Sequence, residues 1–156
     1  MNAQKEKQPR DSSHSGNANI PSPKGILETV VYCENLTSAR EFYEQVVGLP
    51  VVSVEPERHV FFRVGQGMLL VFNSRETVSG TVRIGNQTIP CHGSTGPSHF
   101  AFEILPRQVE AVREHLASRR IAIEAEIDWP GGGHSIYCRD PAGNSVEFAT
   151  RELWFD

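Results

Sequence analysis

Two stretches of this chain carry the same order of elements, and that repetition limits the fold more than any other feature. Ile26-Leu-Glu-Thr-Val-Val-Tyr-Cys33 is rich in β-branched residues and reads as a strand. The run from Asn35 to Gly48 then sets Ala39, Phe42, Tyr43, Val46 and Val47 at helical spacing. Ser38 and Glu41 have the spacing of a capping box, and Gly48 suits the position after a helix end. Short strands follow over Val51–Glu55, His59–Val64 and Met68–Asn73, punctuated by Pro56 and the Gly65-Gln-Gly67 turn. From residue 98 the order returns. Ser98–Ile104 is a strand, Pro106 opens a helix with the stripe Val109, Val112, Leu116, and strands follow over Ile123–Ile127, Ser135–Arg139 and Ser145–Thr150.

The class expected is therefore α+β, two βαβββ modules over about 25–74 and 98–150, in a domain spanning 25–156. One such unit leaves a sheet face bare. Pairing two units is expected to bury it and curl the mixed sheets around a cleft. The connector, 75–97, holds a small flap in which Thr81-Val-Arg-Ile and Gln87-Thr-Ile flank Gly85-Asn86. Residues 1–24 are Lys, Gln, Ser, Asn, Gly and Pro with little apolar content, the composition of a disordered tail; His14 lies in it.

The best-marked local feature is the hairpin from His134 to Ala149. In its Asp140-Pro-Ala-Gly-Asn144 turn, Pro141 presets φ and Gly143 supplies a positive one. Beyond it stands Glu147, one carboxylate among apolar neighbours. A buried carboxylate is costly unless paired or bound to a metal, so Glu147 is either an exposed acid on an edge strand or a functional one. Glu28 and His99 hold equivalent positions on the first strand of each module, polar residues on otherwise apolar strands. Two carboxylates and an imidazole converging on one wall would make a first shell for a divalent metal with open positions. Trp129-Pro-Gly-Gly-Gly133 reads as a flexible turn; it lacks the strand-to-helix context of a nucleotide loop.

A formal net charge of -4 leaves no basic footprint for nucleic acid or an anionic membrane. No stretch has the apolar length of a membrane span, and the polar N-terminus shows no secretory signal. Cys33, Cys91 and Cys138 are widely spaced, which fits buried thiols in a reducing cytoplasm. Cytoplasmic localisation is the expectation.

Ile26-Leu-Glu-Thr-Val-Val-Tyr, Phe42-Tyr-Glu-Gln-Val-Val-Gly-Leu49, Ser98-His-Phe-Ala-Phe and Ser135-Ile-Tyr-Cys-Arg-Asp-Pro-Ala-Gly-Asn-Ser-Val-Glu147 together resemble the vicinal oxygen chelate superfamily. That superfamily holds glyoxalase I, extradiol dioxygenases, fosfomycin-resistance enzymes and bleomycin-binding proteins. The resemblance spans residues 25–150 and implies that Glu28, His99 and Glu147 bind a divalent ion such as Zn, Mn, Fe(II) or Ni. It further implies that Glu147 can act as base and that Ser135 and Tyr137 line a substrate pocket. Glyoxalase I has another Glu on the fourth strand of its first module, and the matching position here is about Leu69. His92, on the connector, is a candidate fourth ligand or base, and Arg63 a candidate contact for an anionic substrate. The implied function is Lewis-acid chemistry of lyase or isomerase type on a small substrate with two vicinal oxygens. The alternatives are metal-free sequestration of a small molecule and extradiol ring cleavage. A homodimer is expected, its modules pairing within one chain or across two, with Trp154 and Phe155 packing on a partner.

Overall fold

The computed structural model describes residues 22–79 and 82–155. The expected tail, with His14, lies almost wholly outside the described residues, as does Thr81 at the start of the flap. The elements run β1 (Glu28–Tyr32), α1 (Leu36–Glu41), β2 (Val51–Glu55), β3 (His59–Val64), β4 (Gly67–Phe72), β5 (Val82–Ile84), β6 (Gln87–Ile89), β7 (His99–Ile104), α2 (Val109–Ser118), β8 (Ala125–Asp128), β9 (His134–Arg139) and β10 (Ser145–Thr150). The α+β duplication is present. Each module is a mixed four-stranded sheet, β1-β4-β3-β2 and β7-β10-β9-β8, and β5 with β6 forms the flap. Among the described residues, only β1–β4 and β7–β10 run parallel, because only these strand pairs close across a helix and a long return.

Strand alternation sorts each sheet into two faces. Val31, Val60, Phe62, Leu69 and Val71 of the first sheet join Phe102, Ile104, Ile136, Cys138, Val146 and Phe148 of the second in one core with Ala39, Phe42, Tyr43 and Leu116 of the helices. The helix side of both sheets is therefore one continuous apolar interior, bridged where the Tyr43 and Phe100 rings meet at 6.4 Å. On the opposite faces Glu28, His99, Ala101 and Glu103 are exposed, while Leu70, Phe72, Ser135 and Glu147 are buried. Cys33 and Cys138 are core residues and burial pushes both thiols up, Cys138 to about 11. Cys91 instead lies exposed on the connector.

The first helix departs from expectation at both ends. Asn35, not Ser38, caps it: the Asn35 side chain accepts from the Ser38 N–H at 3.0 Å. Glu41 ends the α-turns, and Phe42–Val46 continue as a π-turn closed by Val47 N–H donating to Phe42 O at 3.1 Å. Gly48 leaves the helix at φ 81. That wider turn carries Tyr43 into the interior, where its hydroxyl donates to Asp140 at 2.6 Å.

This contact explains the turn motif of the final hairpin. Asp140 is buried, and its carboxylate accepts from the Ala142 and Asn144 N–H groups, the Asn144 side-chain amide and Tyr43. Four donors satisfy an acceptor-only group that burial would otherwise penalise. Asn144 in turn accepts from Ser98 N–H at 2.8 Å and reaches the Tyr32 carbonyl at 3.5 Å. Asp-Pro-Ala-Gly-Asn is thus a turn and, at once, the polar latch between modules.

Candidate functional site

The site face of the second module is set by register. On β10, Glu147 lies opposite Tyr137 of β9 and Ala101 of β7, while His99 is one alternate step away beside Ser145. Ser135 lies opposite Ala149 on the same face. A buried carboxylate, 4% exposed, is thereby ringed by polar side chains. Ser135 Oγ donates to Glu147 Oε1 at 2.5 Å and Tyr137 Oη donates to the same oxygen at 2.9 Å. Burial, with the Glu147 carboxylate adding to it, raises the Tyr137 phenol above its ordinary value and keeps it a donor. Glu147 Oε2 faces His99 Nε2 at 3.3 Å.

The His99 ring is oriented from behind. Its Nδ1 is 3.2 Å from the Ser145 carbonyl, which can only accept, so Nδ1 carries a proton. In the neutral ring Nε2 is then a lone-pair nitrogen turned toward a carboxylate oxygen. A proton on Nε2 or a metal ion between the two atoms would each satisfy this contact. A histidine whose far N–H is held by a carbonyl has its other nitrogen oriented, as a metal ligand's would be. The nitrogen and oxygen donors suit Mn, Fe(II), Zn or Ni.

Glu28 does not join this pair within one chain. It is exposed at the start of β1, and no three His, Cys, Asp or Glu side chains gather to hold a metal among the described residues. Its own surroundings are the wall formed by Thr29, Met68, Leu69 and Val64 and the β7 residues Phe100, Ala101 and Phe102, around a cavity of about 300 Å³. Register also corrects the fourth-strand position. Glu28 pairs with Met68 as His99 pairs with Ser145, so the counterpart of Glu147 is Leu70, not Leu69. Leu69 is 1% exposed and packs in the core on the helix side.

His92 and Arg63 lie with the first module. The Tyr32 hydroxyl meets His92 Nδ1 at 2.8 Å, and the His92 ring stands edge-on to Phe72 at 4.9 Å. Arg63 pairs with Met68, which puts it on the Glu28 face. His59 stacks on Phe61 at 3.9 Å and approaches Ser53 and Glu55. Burial lowers its pKa more than Glu55 raises it. The structure thus brings together His99, Glu147, Ser135 and Tyr137, and sets Glu28, Arg63 and His92 on the other sheet. Sequence reasoning missed Trp129, whose indole N–H donates to Ser135 Oγ at 2.8 Å. Its one available signal was a tryptophan placed six residues before Ser135, followed by Pro130 and three glycines.

Among curated proteins no match is found. The family model of the Glyoxalase/Bleomycin resistance protein/Dioxygenase superfamily matches residues 25–148. A lactoylglutathione lyase from Agrobacterium tumefaciens is 38% identical, covering 86% of this chain and 98% of its own, with a TM-score of 0.79. A glyoxalase/bleomycin resistance protein/dioxygenase from Nocardioides shares the fold at 19% identity and a TM-score of 0.64, covering 88% of each chain. A glyoxalase family protein from Bacillus anthracis does so at 18% and 0.62, covering 84% of this chain and 98% of its own. The match runs from the turn before β1 to the strand that carries Glu147, and the chain belongs to the Glyoxalase/Bleomycin resistance protein/Dioxygenase superfamily.

Proposed function

We propose that this chain is a metal-dependent enzyme of lyase or isomerase type, acting on a small substrate that offers two vicinal oxygens. The observation that carries this reading is the approach of His99 Nε2 to the buried carboxylate oxygen Glu147 Oε2, 3.3 Å apart. Glu28 of a second copy completes the set, since it stands exposed on its own chain. When bound there, a divalent ion supplies Lewis-acid stabilisation of negative charge developing on a substrate oxygen. The protein side chains do the rest. Ser135 and Tyr137 fix Glu147 Oε1, so Oε2, on leaving the metal, is the oxygen that would take a proton from the substrate carbon. Tyr137, half-buried beside the His99 ring at 6.1 Å, forms the wall a substrate would meet. Arg63 shares the Glu28 face and suits an anionic group on the substrate.

The similarity to a lactoylglutathione lyase makes the hemithioacetal of methylglyoxal and glutathione the first substrate to try. Leu70 stands where a fourth carboxylate would, so the set offers three ligands and leaves more positions open. The test is calorimetric titration of Mn²⁺, Zn²⁺ and Ni²⁺ into metal-stripped protein. Glu28→Gln, His99→Ala and Glu147→Gln should each weaken binding by more than about 100-fold, beyond the loss typical of outer partners. Unchanged affinity in two of the three would remove the metal assignment. Because Glu28 stands apart from the other two within a chain, the reading left would be metal-free binding of a small molecule.

A further inference from the structure

We infer that Trp129 is a positioning residue for Glu147, acting through the Ser135 hydroxyl; the inference rests on the reading of Glu147 as a working side chain. The logic lies in what each atom can do. An indole N–H only donates, so at 2.8 Å the Ser135 oxygen accepts from it. Ser135 is fully buried and has one proton of its own, which the 2.5 Å contact commits to Glu147 Oε1. The chain of donors therefore has one direction, from indole to hydroxyl to carboxylate. Accepting from the indole makes the serine hydroxyl a stronger donor in turn. With Tyr137 as second donor, Oε1 is fully engaged and Oε2 is the oxygen presented to His99. Without the indole, one Ser135 lone pair is left without that donor, and the hydroxyl loses the contact that fixes its rotation.

The surrounding loop is built to hold this ring. Trp129 N–H donates to the Gly133 carbonyl at 3.1 Å, and Gly132 N–H donates to the Trp129 carbonyl at 2.9 Å, closing a tight turn. Gly132 and Gly133 have φ of 99 and 89, where L side chains are strained. A Cβ on Gly133 would stand 2.5 Å from the backbone nitrogen of Leu153. The run of glycines lets the loop press against the turn that follows β10, and so fixes where the indole points. What reads in sequence as a flexible turn is a support beneath the buried carboxylate.

Trp129→Phe keeps a ring and removes the N–H. In metal-stripped protein titrated with Zn²⁺ it should weaken affinity by about 10- to 100-fold, the range for partners that orient ligands. Ser135→Ala should do the same, and adding Trp129→Phe to it should cost nothing further. A ring that merely packs would give the same loss in both backgrounds. A second readout needs no metal. In protein labelled with ¹⁵N at tryptophan, Trp154→Phe assigns the Trp129 indole resonance. Ser135→Ala and Glu147→Gln should each shift it. An unmoved resonance in both variants, or additive losses of affinity, would overturn the inference. Wild-type protein that binds no metal but whose indole resonance answers to Glu147→Gln would keep the relay and discard the metal reading.

Discussion

At the scale of single residues, the structure gives the polar interior specific tasks. Asp140 is 5% exposed and depends on Tyr43 for one of its four donors. Tyr43→Phe removes that hydroxyl with no change of shape, and the loss of a hydrogen bond to a buried charge should cost about 1.5–3 kcal/mol, read from urea unfolding. His134 acts at the surface in the opposite sense. Its two ring nitrogens meet Asp128 at 2.7 Å and Glu126 at 2.8 Å, and the Asp128 contact leads in raising its pKa above 6.5. A raised value means the charged ring stabilises the fold fully below its ordinary pKa. That contribution is lost as pH climbs through the folded value. Melting temperature should therefore fall more between about pH 6 and about pH 9 in wild type than in His134→Gln, with the ordinary histidine value near the lower end. Equal slopes would show that the two carboxylates do not hold the charged form.

At the scale of elements, one residue of register separates a correct reading from a wrong one. The turn before β4 ends at Gln66, and the strand begins at Gly67 rather than Met68. Leu69 and Leu70 are neighbours on opposite faces of β4; the resemblance points to about Leu69, and the register puts Leu70 in that place. Leu69→Glu should bury an unpaired carboxylate in the core and destabilise by several kcal/mol, measured by thermal melting. Leu70→Glu places the same group on the Glu28 face opposite Phe61 and should be milder. If both are equally damaging, the assignment of faces on β4 fails. The strands were legible because alternation and turn residues agree, and β10 begins and ends where expected. The capping residue was not, since Asn35 and Ser38 both suit the role and only backbone geometry decides between them. Alternation puts Ser135, Tyr137 and Glu147 on one face, but setting Glu28 and His99 beside Glu147 rested on their equivalent places in the two modules, and Glu28 does not join them within one chain. Trp129 could not be placed with them, because its bond to Ser135 depends on loop geometry that Pro and Gly do not encode one residue at a time.

At the scale of the whole molecule, the two modules have the same architecture and different chemistry. The second carries a polar face around Glu147; the first has Phe61, Leu70 and Phe72 where the second has Tyr137, Glu147 and Ala149. If the metal set is shared between copies, mixing a Glu28→Ala chain with a Glu147→Ala chain should restore some metal binding through heterodimers. Restoration near one quarter of wild-type sites is expected from random pairing, in which half of the dimers are mixed and each mixed dimer keeps one intact site. Calorimetry on the mixture that stays as defective as either parent would place all ligands in one chain. The latch at Asp140 has a consequence in time as well. Tyr43 and Asp140 are 97 positions apart, and Asn144 and Tyr32 are 112 apart. Each hairpin can form from near neighbours, whereas these bonds require the two halves to have met already. They should be missing from the folding transition state. Tyr43→Phe should then leave the refolding arm of a chevron plot almost unmoved and steepen the loss entirely on the unfolding side, so that the motif governs how long the two halves stay joined rather than how fast they find each other.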